Sequence, residues 1–569
     1  MHCWPWLIVA AVLPLGAQTG EVTSREEAPT FQSKVNLVRV PVVVRDQQGK
    51  TIGTLHKEDF HLSDRGKPQE IAQFTIEGSA FSKAQEAVRA ETPGAPAAVP
   101  KAVAPSRFVA LVFDDVRLAI DELMNVRQAA LKQIENGIPP QERISVLTLS
   151  GSVTLEFTND AAKLREMLLQ IKPVPPAKHF PPASFYEADE FMKNPGDEGL
   201  ACGDLCTCPT GMPLVLMKQS CITQDCLGLH GYAAIESTPI ARSTLRAVYN
   251  EGASTSSNAF RTLNNAVRLL GSMPGDRVMI LISPGMYLND ELQRSFGETV
   301  DRATRSGIIV NTLDARGVYT LNPEFQGCRL SNPQGEILSK RYAIAAIAAQ
   351  GPILHDLADA TGGTAVSDND FLSGLNRLAN PPEHVYYLGF YPRELKLDGK
   401  FHEIKVTLAN SQGLTVQARK GYWAPSHAED PIAAATSEIA EAVFSHDELR
   451  DLPLDIDTQF YKTAAADARL RISAHLDIRQ LRLRKEEDRN RNDVTLVCAL
   501  FDANGNYIKG AQKKVELRLK DESVGRRREL GLTMNTDFDV KSGAYMVRVV
   551  ARDSEGQQMA SANDTVEIP

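Results

Sequence analysis

The chain has 569 residues, of which 43% are hydrophobic and 23% are charged, and its formal net charge is −9. This length suits about three to four domains, and the composition is that of a soluble globular protein rather than a disordered one. The negative charge argues against nucleic acid as a partner, because binding to phosphates needs a basic face.

The first residues have the pattern of an export signal. Residues 1–18 contain a short apolar core, and the small residues Gly16 and Ala17 precede a cleavage site near Gln18. No Lys or Arg precedes that core. The core is too short to span a bilayer as a helix, and the sequence has no other candidate span. We therefore expect a secreted, periplasmic or cell-envelope protein with no transmembrane segment in the mature chain.

Residues 30–78 predict a small β unit. The polar residues 19–29 before it predict disorder, and the alternating valines around Pro41 predict a half-buried strand at a sheet edge. Residues 384–425 predict further strands. Neither group can bury a core alone, so we expect the two to pair in one β-sandwich. Residues 79–105, rich in Ala and Pro, predict a linker.

Residues 106–380 predict an α/β domain. Four apolar runs predict buried strands, and helical patterns separate them, including one at 259–270. This alternation predicts a doubly wound, mostly parallel sheet that is covered on both faces. The insertion at 173–255 interrupts the pattern and predicts a long loop. The strand runs are residues 107–113, 144–149, 277–282 and 308–313.

Most of the cysteines lie in two predicted loops. Six of them are candidates for three disulfides, and an oxidising compartment favours disulfides over metal. Their pairing stays open, and a zinc site that includes His230 is the alternative. Cys498, in an apolar strand pattern, predicts a buried free thiol. The six candidates are Cys202, Cys206, Cys208, Cys221, Cys226 and Cys328.

The remaining chain predicts a bridging helix and a last β domain. Residues 429–453 predict a helical linker. Residues 454–569 predict a β-sandwich, because short strand patterns and turn residues follow one another with no helix between them.

The carboxyl end of the first buried strand is the candidate site. Asp114 and Asp115 follow the strand directly, and doubly wound sheets bind ligands at this edge. A hard cation takes oxygen ligands, so Asp114, Asp115 and Thr255 are the metal candidates, with Thr255 placed just before a helix. The alternative is that Asp114 caps the following helix or pairs with a nearby arginine. The candidate binding residues are Asp114, Asp115, Ser254, Thr255, Ser256 and Ser283.

Three stretches, at residues 35–71, 113–115 with 275–278, and 386–422, resemble the family of VWFA-related domain proteins known mainly from acidobacteria. The resemblance implies an exported protein with a von Willebrand factor A domain and no established catalytic residues. In a metal-binding A domain the strand tip reads Asp-x-Ser-x-Ser. Here Val116 and Leu118 replace the two hydroxyl residues, and Pro284 stands where a further acid is expected, so the resemblance implies a degenerate metal site.

These patterns favour a non-catalytic, adhesion-type protein that binds a protein or glycan partner, with a divalent cation as its one candidate cofactor. A hydrolase, or an accessory subunit of an envelope enzyme, is the first alternative. In that case Ser283 would be the nucleophile, although Leu281 stands where the Gly-x-Ser-x-Gly pattern needs its first glycine. A structural spacer of the cell envelope is the second alternative.

Overall fold

The structure of the protein is a computed structural model. It describes residues 21–27, 38–48, 50–78, 105–174, 189, 232–317, 352–379, 382, 384–392, 400–411, 413–424, 431–445, 449–556 and 558–569. The predicted signal segment, residues 79–104 of the linker, His230 and the six candidate disulfide cysteines lie outside these residues. The protein is mixed α/β, with several separate sheets.

The amino-terminal part of the described chain contains short strands and one 3-10 turn. The strand Val22–Glu27 corrects the sequence analysis, which predicted disorder at residues 19–29. The sequence pattern did not predict this strand, because its side chains are polar and its partner strand lies near the other end of the chain. The elements are β1 (Val22–Glu27), β2 (Val38–Arg45), the 3-10 turn Lys57–Asp59, β3 (Phe60–Asp64), β4 (Lys67–Gln69) and β5 (Gln73–Gly78).

The middle of the chain alternates strands and helices. The strands are β6 (Arg107–Phe113), β7 (Glu142–Thr148), β8 (Thr154–Thr158), β9 (Asp276–Ser283), β10 (Ile308–Asp314) and β11 (Ala365–Val366). The helices are α1 (Ile120–Glu135), α2 (Ala161–Gln170), α3 (Tyr232–Gly271), α4 (Asp290–Arg305), α5 (Pro352–Thr361) and α6 (Phe371–Ala379).

These strands form one sheet in the order β11-β10-β9-β6-β7-β8. All neighbours are parallel except β8, which is antiparallel to β7. Successive side chains of β6 point to opposite faces. Phe108 and Val112 pack with α3, α4 and α5, whereas Val109 and Phe113 pack with α1, α2 and α6. The carboxyl ends of β6, β7, β9 and β10 therefore meet at one edge, which we call the carboxyl edge.

Helix α3 begins much earlier than the sequence predicted. The expected helix spanned residues 259–270, with Ser254, Thr255 and Ser256 in the preceding loop. In the structure all three lie inside α3, and residues 232–255 of the expected insertion are helical. Taken alone, the serine-rich stretch favours a helix cap or a loop. In the structure Ser256 and Phe260 are both buried on the packed face of α3, and this packing extends the helix through the stretch.

Strands from both sides of the α/β region pair with each other. One sheet has the order β14-β2-β12-β5 and the other β15-β13-β3-β4. Valines of β2 and the aromatic residues Tyr386 and Phe390 share a core with Phe60 and Ile404 of the facing sheet. The additional strands are β12 (His384–Phe390), β13 (Phe401–Leu408), β14 (Thr415–Ala418) and β15 (Gly421–Trp423).

The carboxyl-terminal region has two sheets around a common apolar core, with the orders β1-β20-β19-β22-β23 and β16-β17-β21. A helix at residues 521–530 corrects the prediction that no helix separates these strands. The elements are α7 (Pro431–Phe444), β16 (Leu454–Lys462), β17 (Asp467–Leu476), β18 (Arg484–Glu486), β19 (Arg489–Asp502), β20 (Tyr507–Leu519), α8 (Asp521–Leu530), β21 (Leu532–Lys541), β22 (Gly543–Asp553) and β23 (Met559–Ile568).

The amino end of the parallel sheet packs against this carboxyl-terminal region. Arg143, at the start of β7, donates from Nη2 to the carbonyl oxygen of Ala503 at 2.8 Å. Gly505, in the same turn, has a φ of +86°, and a Cβ there would lie 2.3 Å from Cζ of Phe108. Only glycine allows both this backbone conformation and this close approach. The carboxyl edge, at the other end of the strands, does not take part in these contacts.

Cys498 is a free, buried cysteine in β19, as the sequence predicted. Burial raises the pKa of its thiol to about 12. A thiol that is inaccessible and protonated reacts slowly with electrophiles. We expect iodoacetamide to leave Cys498 unlabelled in the native protein and to label it after unfolding in urea, as read by peptide mass spectrometry. Labelling at equal rates in both states would contradict this burial.

Candidate functional site

The Asp114 carboxylate is fully buried at the carboxyl edge and is held by two side chains. Its Oδ2 accepts a hydrogen bond from Ser283 Oγ at 2.7 Å and one from Arg117 Nη1 at 2.8 Å. Its Oδ1 accepts from the backbone N–H of Arg117 at 3.1 Å. The turn after β6 thus supplies a guanidinium three residues from the acid, and β9 brings the serine to the same carboxylate.

Arg117 connects this acid to helix α3. Its Nη2 lies 3.4 Å from the carbonyl oxygen of Thr255, and 16% of its side chain is exposed. A buried carboxylate needs a compensating positive charge and hydrogen-bond donors. Arg117 supplies both from within the chain, between Val116 and Leu118, the two positions at which the resemblance implied hydroxyl ligands in a metal-binding A domain. Leu118, at the second of those positions, is buried in the core beneath α1.

Asp115 is held separately from Asp114. Its Oδ1 accepts from the backbone N–H of Ser150 at 3.0 Å, and its Oδ2 accepts from Ser150 Oγ and, at 3.0 Å, from Ser152 Oγ. Its carbonyl oxygen accepts from the N–H of Val174 at 2.8 Å. Asp115 therefore fixes the loop after β7 and the start of the insertion. It does not share a partner with Asp114.

The three predicted site residues on α3 do not present their side chains to these acids. Ser254 is exposed, and Ser256 is buried in the helix face. Thr255 Oγ1 donates to the carbonyl oxygen of Glu251 at 2.8 Å, one helical turn earlier. Only the backbone carbonyl of Thr255 reaches the site, through Arg117. Within the described ranges, no three His, Cys, Asp or Glu side chains form a group that could hold a metal ion.

Ser283 is fully buried at the end of β9. Its hydroxyl group donates to Asp114 and accepts from the N–H of Gly285 at 3.1 Å. Among the described residues, no histidine is hydrogen-bonded to it. A nucleophile must be reachable by substrate and must contact a base that can take its proton. The environment of Ser283 is therefore that of a structural hydroxyl group.

Replacing Ser283 with alanine is expected to lower the free energy of unfolding by about 1–2 kcal/mol, because Asp114 and Gly285 each lose a buried partner. Urea unfolding followed by circular dichroism measures this loss. The matched control is Ser373→Ala, which removes a hydroxyl group bonded to an exposed carboxylate, Asp370. Covalent labelling of Ser283 by a fluorophosphonate probe would contradict the structural role.

A second acid–arginine pair, which the sequence patterns did not predict, lies at the carboxyl edge. Asp314, the last residue of β10, accepts hydrogen bonds from Nε and Nη2 of Arg316 at 2.9 and 2.7 Å. Burial raises the pKa of the nearby Glu122 carboxyl, and Asp121 and Asp314 act in the same direction. The sequence contains a pattern that marks both pairs. Asp114 and Asp314 each follow or end an apolar strand run, and each precedes an arginine by two or three residues.

Apolar side chains lie exposed beside this edge. Ile120, the first residue of α1, is 70% exposed, and Met124, one turn later, is 45% exposed. Val174, which bonds to Asp115, is 36% exposed.

No helix in the described ranges combines the length and the apolar character that a membrane crossing requires.

No protein-family model and no curated protein matches the chain. Among solved structures, the chain is similar to an aerotolerance-related membrane protein from Bacteroides fragilis (11% identity, TM-score 0.24, covering 48% of this chain and 96% of that one). It is also similar to BatB from Bacteroides thetaiotaomicron (11% identity, TM-score 0.22, covering 48% of this chain and 95% of that one). A third similar structure is β-glucosidase 3B from Thermotoga neapolitana (10% identity, TM-score 0.11, covering 54% of this chain and 39% of that one). TM-scores this low carry no argument about fold or activity.

Proposed function

We propose that this chain is an exported, non-catalytic binding protein that uses a von Willebrand factor A-like domain without a metal ion. The observation that carries the proposal is the ion pair between Arg117 and the buried Asp114. Both oxygens of the carboxylate are occupied by donors from the chain. A divalent cation would have to displace these donors, so binding at this edge does not depend on one.

The strand order supports the A-like fold in this proposal. The sheet is parallel at its centre, helices cover both faces, and the strand order reverses between β6 and β9, because β7 and β8 lie on one side of β6 and β9 to β11 on the other. Doubly wound sheets bind ligands where the strand order reverses. Asp114, Arg117 and Ser283 lie at this point. The partner surface is the carboxyl edge with Ile120, Met124 and Val174 around it, and the partner is a protein or glycan outside the cytoplasm.

The proposal is tested by partner capture from envelope extracts with purified protein. We expect the same captured partner with and without EDTA, because no cation takes part. Ile120→Glu should abolish its capture, since a charge would be placed in the apolar surface. The matched control is Leu530→Glu, at a residue that is 56% exposed on α8, outside this edge.

Thermal unfolding provides a second readout. Mg²⁺, Mn²⁺ and Ca²⁺ should leave the melting temperature unchanged, because a ligand that does not bind the native state cannot stabilise it. A cation-dependent rise in the melting temperature that Asp114→Asn abolishes, or capture that EDTA prevents, would overturn the metal-independent function. Equal capture by Ile120→Glu and the Leu530→Glu control would move the interface away from this edge.

A further inference from the structure

Arg419 is a buried arginine with a hydrogen-bond donor that no atom of the protein accepts. It lies between β14 and β15 and is only 5% exposed. Its Nε is buried and has no hydrogen-bond partner. Burial lowers the pKa of Arg419 to about 10, so the side chain is charged at neutral pH. A buried charge is unfavourable unless it is paired and hydrogen-bonded, and this donor therefore indicates a missing acceptor.

The backbone on both sides of Arg419 is fixed against the end of α5. Gln417 Nε2 donates to the carbonyl oxygen of Gly363 at 3.0 Å. The N–H of Lys420 donates to the carbonyl oxygen of Asp359 at 3.2 Å. These contacts hold the start of the Arg419 side chain in the contact between the β-sandwich and the α/β region.

Two further arginines add positive charge at the same place. Arg277, near the start of β9, donates to the carbonyl oxygen of Phe444 at the end of α7. The guanidinium carbon of Arg39, on β2, lies 5.3 Å from the centroid of the Tyr387 ring. Burial is the main cause that lowers the pKa values of Arg277 and Arg419, and the charge of Arg39 lowers both further. We call these three arginines the junction arginines.

Glu441, on α7, is the carboxylate on which all three junction arginines act. Burial raises the pKa of the Glu441 carboxyl, and the arginines oppose that shift. Asp276 is a second acid near Arg277, and its charge also acts on Arg107. Two carboxylates therefore face three junction arginines, and one positive charge is left without a counter-charge.

Two more acids near this cluster already have arginine partners of their own. Asp301, which acts on Arg419, accepts from Arg305 Nε at 2.8 Å. Glu438, which acts on Glu441, accepts from Arg552 Nε at 2.8 Å. Each of these pairs compensates its own charge, so neither acid supplies the acceptor that Arg419 lacks.

We propose that the junction arginines bind a small oxyanion of the phosphate or sulfate type, with Arg419 as its main donor. A guanidinium group bonds two oxygens of such an anion in a planar fork. The anion supplies both the acceptor for Nε and the missing negative charge. It is small, because Arg419 is nine-tenths buried and a polymer does not reach it. The site lies near the amino end of β9, away from the carboxyl edge, and does not depend on the function proposed above.

Thermal unfolding of the full chain in chloride buffer, with millimolar inorganic phosphate or sulfate added at constant ionic strength, tests this proposal. At a tenfold excess over the dissociation constant we expect a saturable rise in the melting temperature of about 2–4 °C. Arg419→Met should remove this rise. Lys405→Met is the matched control, because it removes an exposed positive charge from β13 of the same sandwich. General salting effects of these anions act on all variants alike.

Two further measurements separate an oxyanion site from an internal ion pair. In chloride buffer alone, Arg419→Met should be at least as stable as the wild type, because an apolar side chain of similar length replaces a buried charge without a partner. Glu441→Gln should bind phosphate roughly tenfold more tightly in isothermal titration calorimetry, because it removes a negative charge that repels the anion. Hydrogen exchange at residues 415–418 and 439–444 should slow when phosphate binds.

Three results would overturn the proposal. An equal response of the wild type and Arg419→Met to phosphate and sulfate would show that the anion does not bind at Arg419. A marked loss of stability in Arg419→Met without any oxyanion would show that the guanidinium group already has a partner within the chain. Weaker phosphate binding by Glu441→Gln would show that this carboxylate does not oppose the anion.

Discussion

Arg117→Ala is expected to lower the free energy of unfolding by about 3–5 kcal/mol, which is the usual cost of removing one member of a buried ion pair. Asp114 is completely buried and Arg117 is its only charged partner among the described residues. Removing the guanidinium leaves the carboxylate with the hydroxyl group of Ser283 and one backbone N–H. Urea unfolding at neutral pH measures this loss, with the same slope of the free energy of unfolding against urea concentration used for both proteins.

The double variant Arg117→Ala with Asp114→Asn should recover part of the lost stability, because a neutral amide needs no compensating charge. Arg165→Ala is the matched control. It removes an arginine whose ion pair with Glu135 is more than half exposed, and such pairs contribute about 0–1 kcal/mol. A loss in Arg117→Ala no larger than that of Arg165→Ala would show that Asp114 is not held by this pair.

Arg277→Ala is expected to produce the second large effect, again about 3–5 kcal/mol, by breaking a buried network of charge-assisted hydrogen bonds. Arg277 is 7% exposed, and burial lowers its pKa to about 10. It donates to the carbonyl oxygens of Met273 at 2.8 Å and Ser306 at 2.5 Å, and to that of Phe444 at the end of α7. The loss affects both the α/β region and its contact with α7.

Calorimetry can distinguish a loss that affects both the α/β region and its contact with α7 from a loss confined to the α/β region. We expect the melting transition of Arg277→Ala to fall in temperature and to broaden or split, because α7 packs on the carboxyl-terminal sheet through Ile439 and Val443 and loses its tie to β9. Arg268→Ala, which removes an exposed arginine of α3, should change stability by less than about 0.5 kcal/mol. A single transition at the wild-type temperature would contradict the role of Arg277.

Sequence patterns predicted the elements whose periodicity is strong. The apolar run of β6 and the runs of β7, β9 and β10 are found as buried strands, and the bridging helix α7 is found within residues 429–453. Patterns failed where tertiary contacts decide the structure. β1 is polar and is a strand only because β20 offers it an edge. The start of α3 contains residues of low helix propensity, yet packing extends the helix through them.

At the candidate site, too, some features were predictable from the sequence and others were decided by tertiary contacts. The absence of hydroxyl groups at Val116 and Leu118, the two positions at which the resemblance implied metal ligands, was visible in the sequence. The sequence also offered a nearby arginine as the alternative partner of Asp114, and Arg117, three residues away, is within local reach. The bond between Asp114 and Ser283 could not, because it joins residues 169 positions apart.

By itself, the sequence determined the alternation of buried strands and helices, the acids at the end of β6 and the burial of Cys498. Hydrophobic periodicity is a local property, and it is sufficient for these features. Only the tertiary structure decided that the hydroxyl group of Ser283 and the carbonyl of Thr255 reach the Asp114–Arg117 pair, and that the first strand completes the last sheet. Both arrangements join segments distant in the chain, so their energies come from contacts that no local pattern contains.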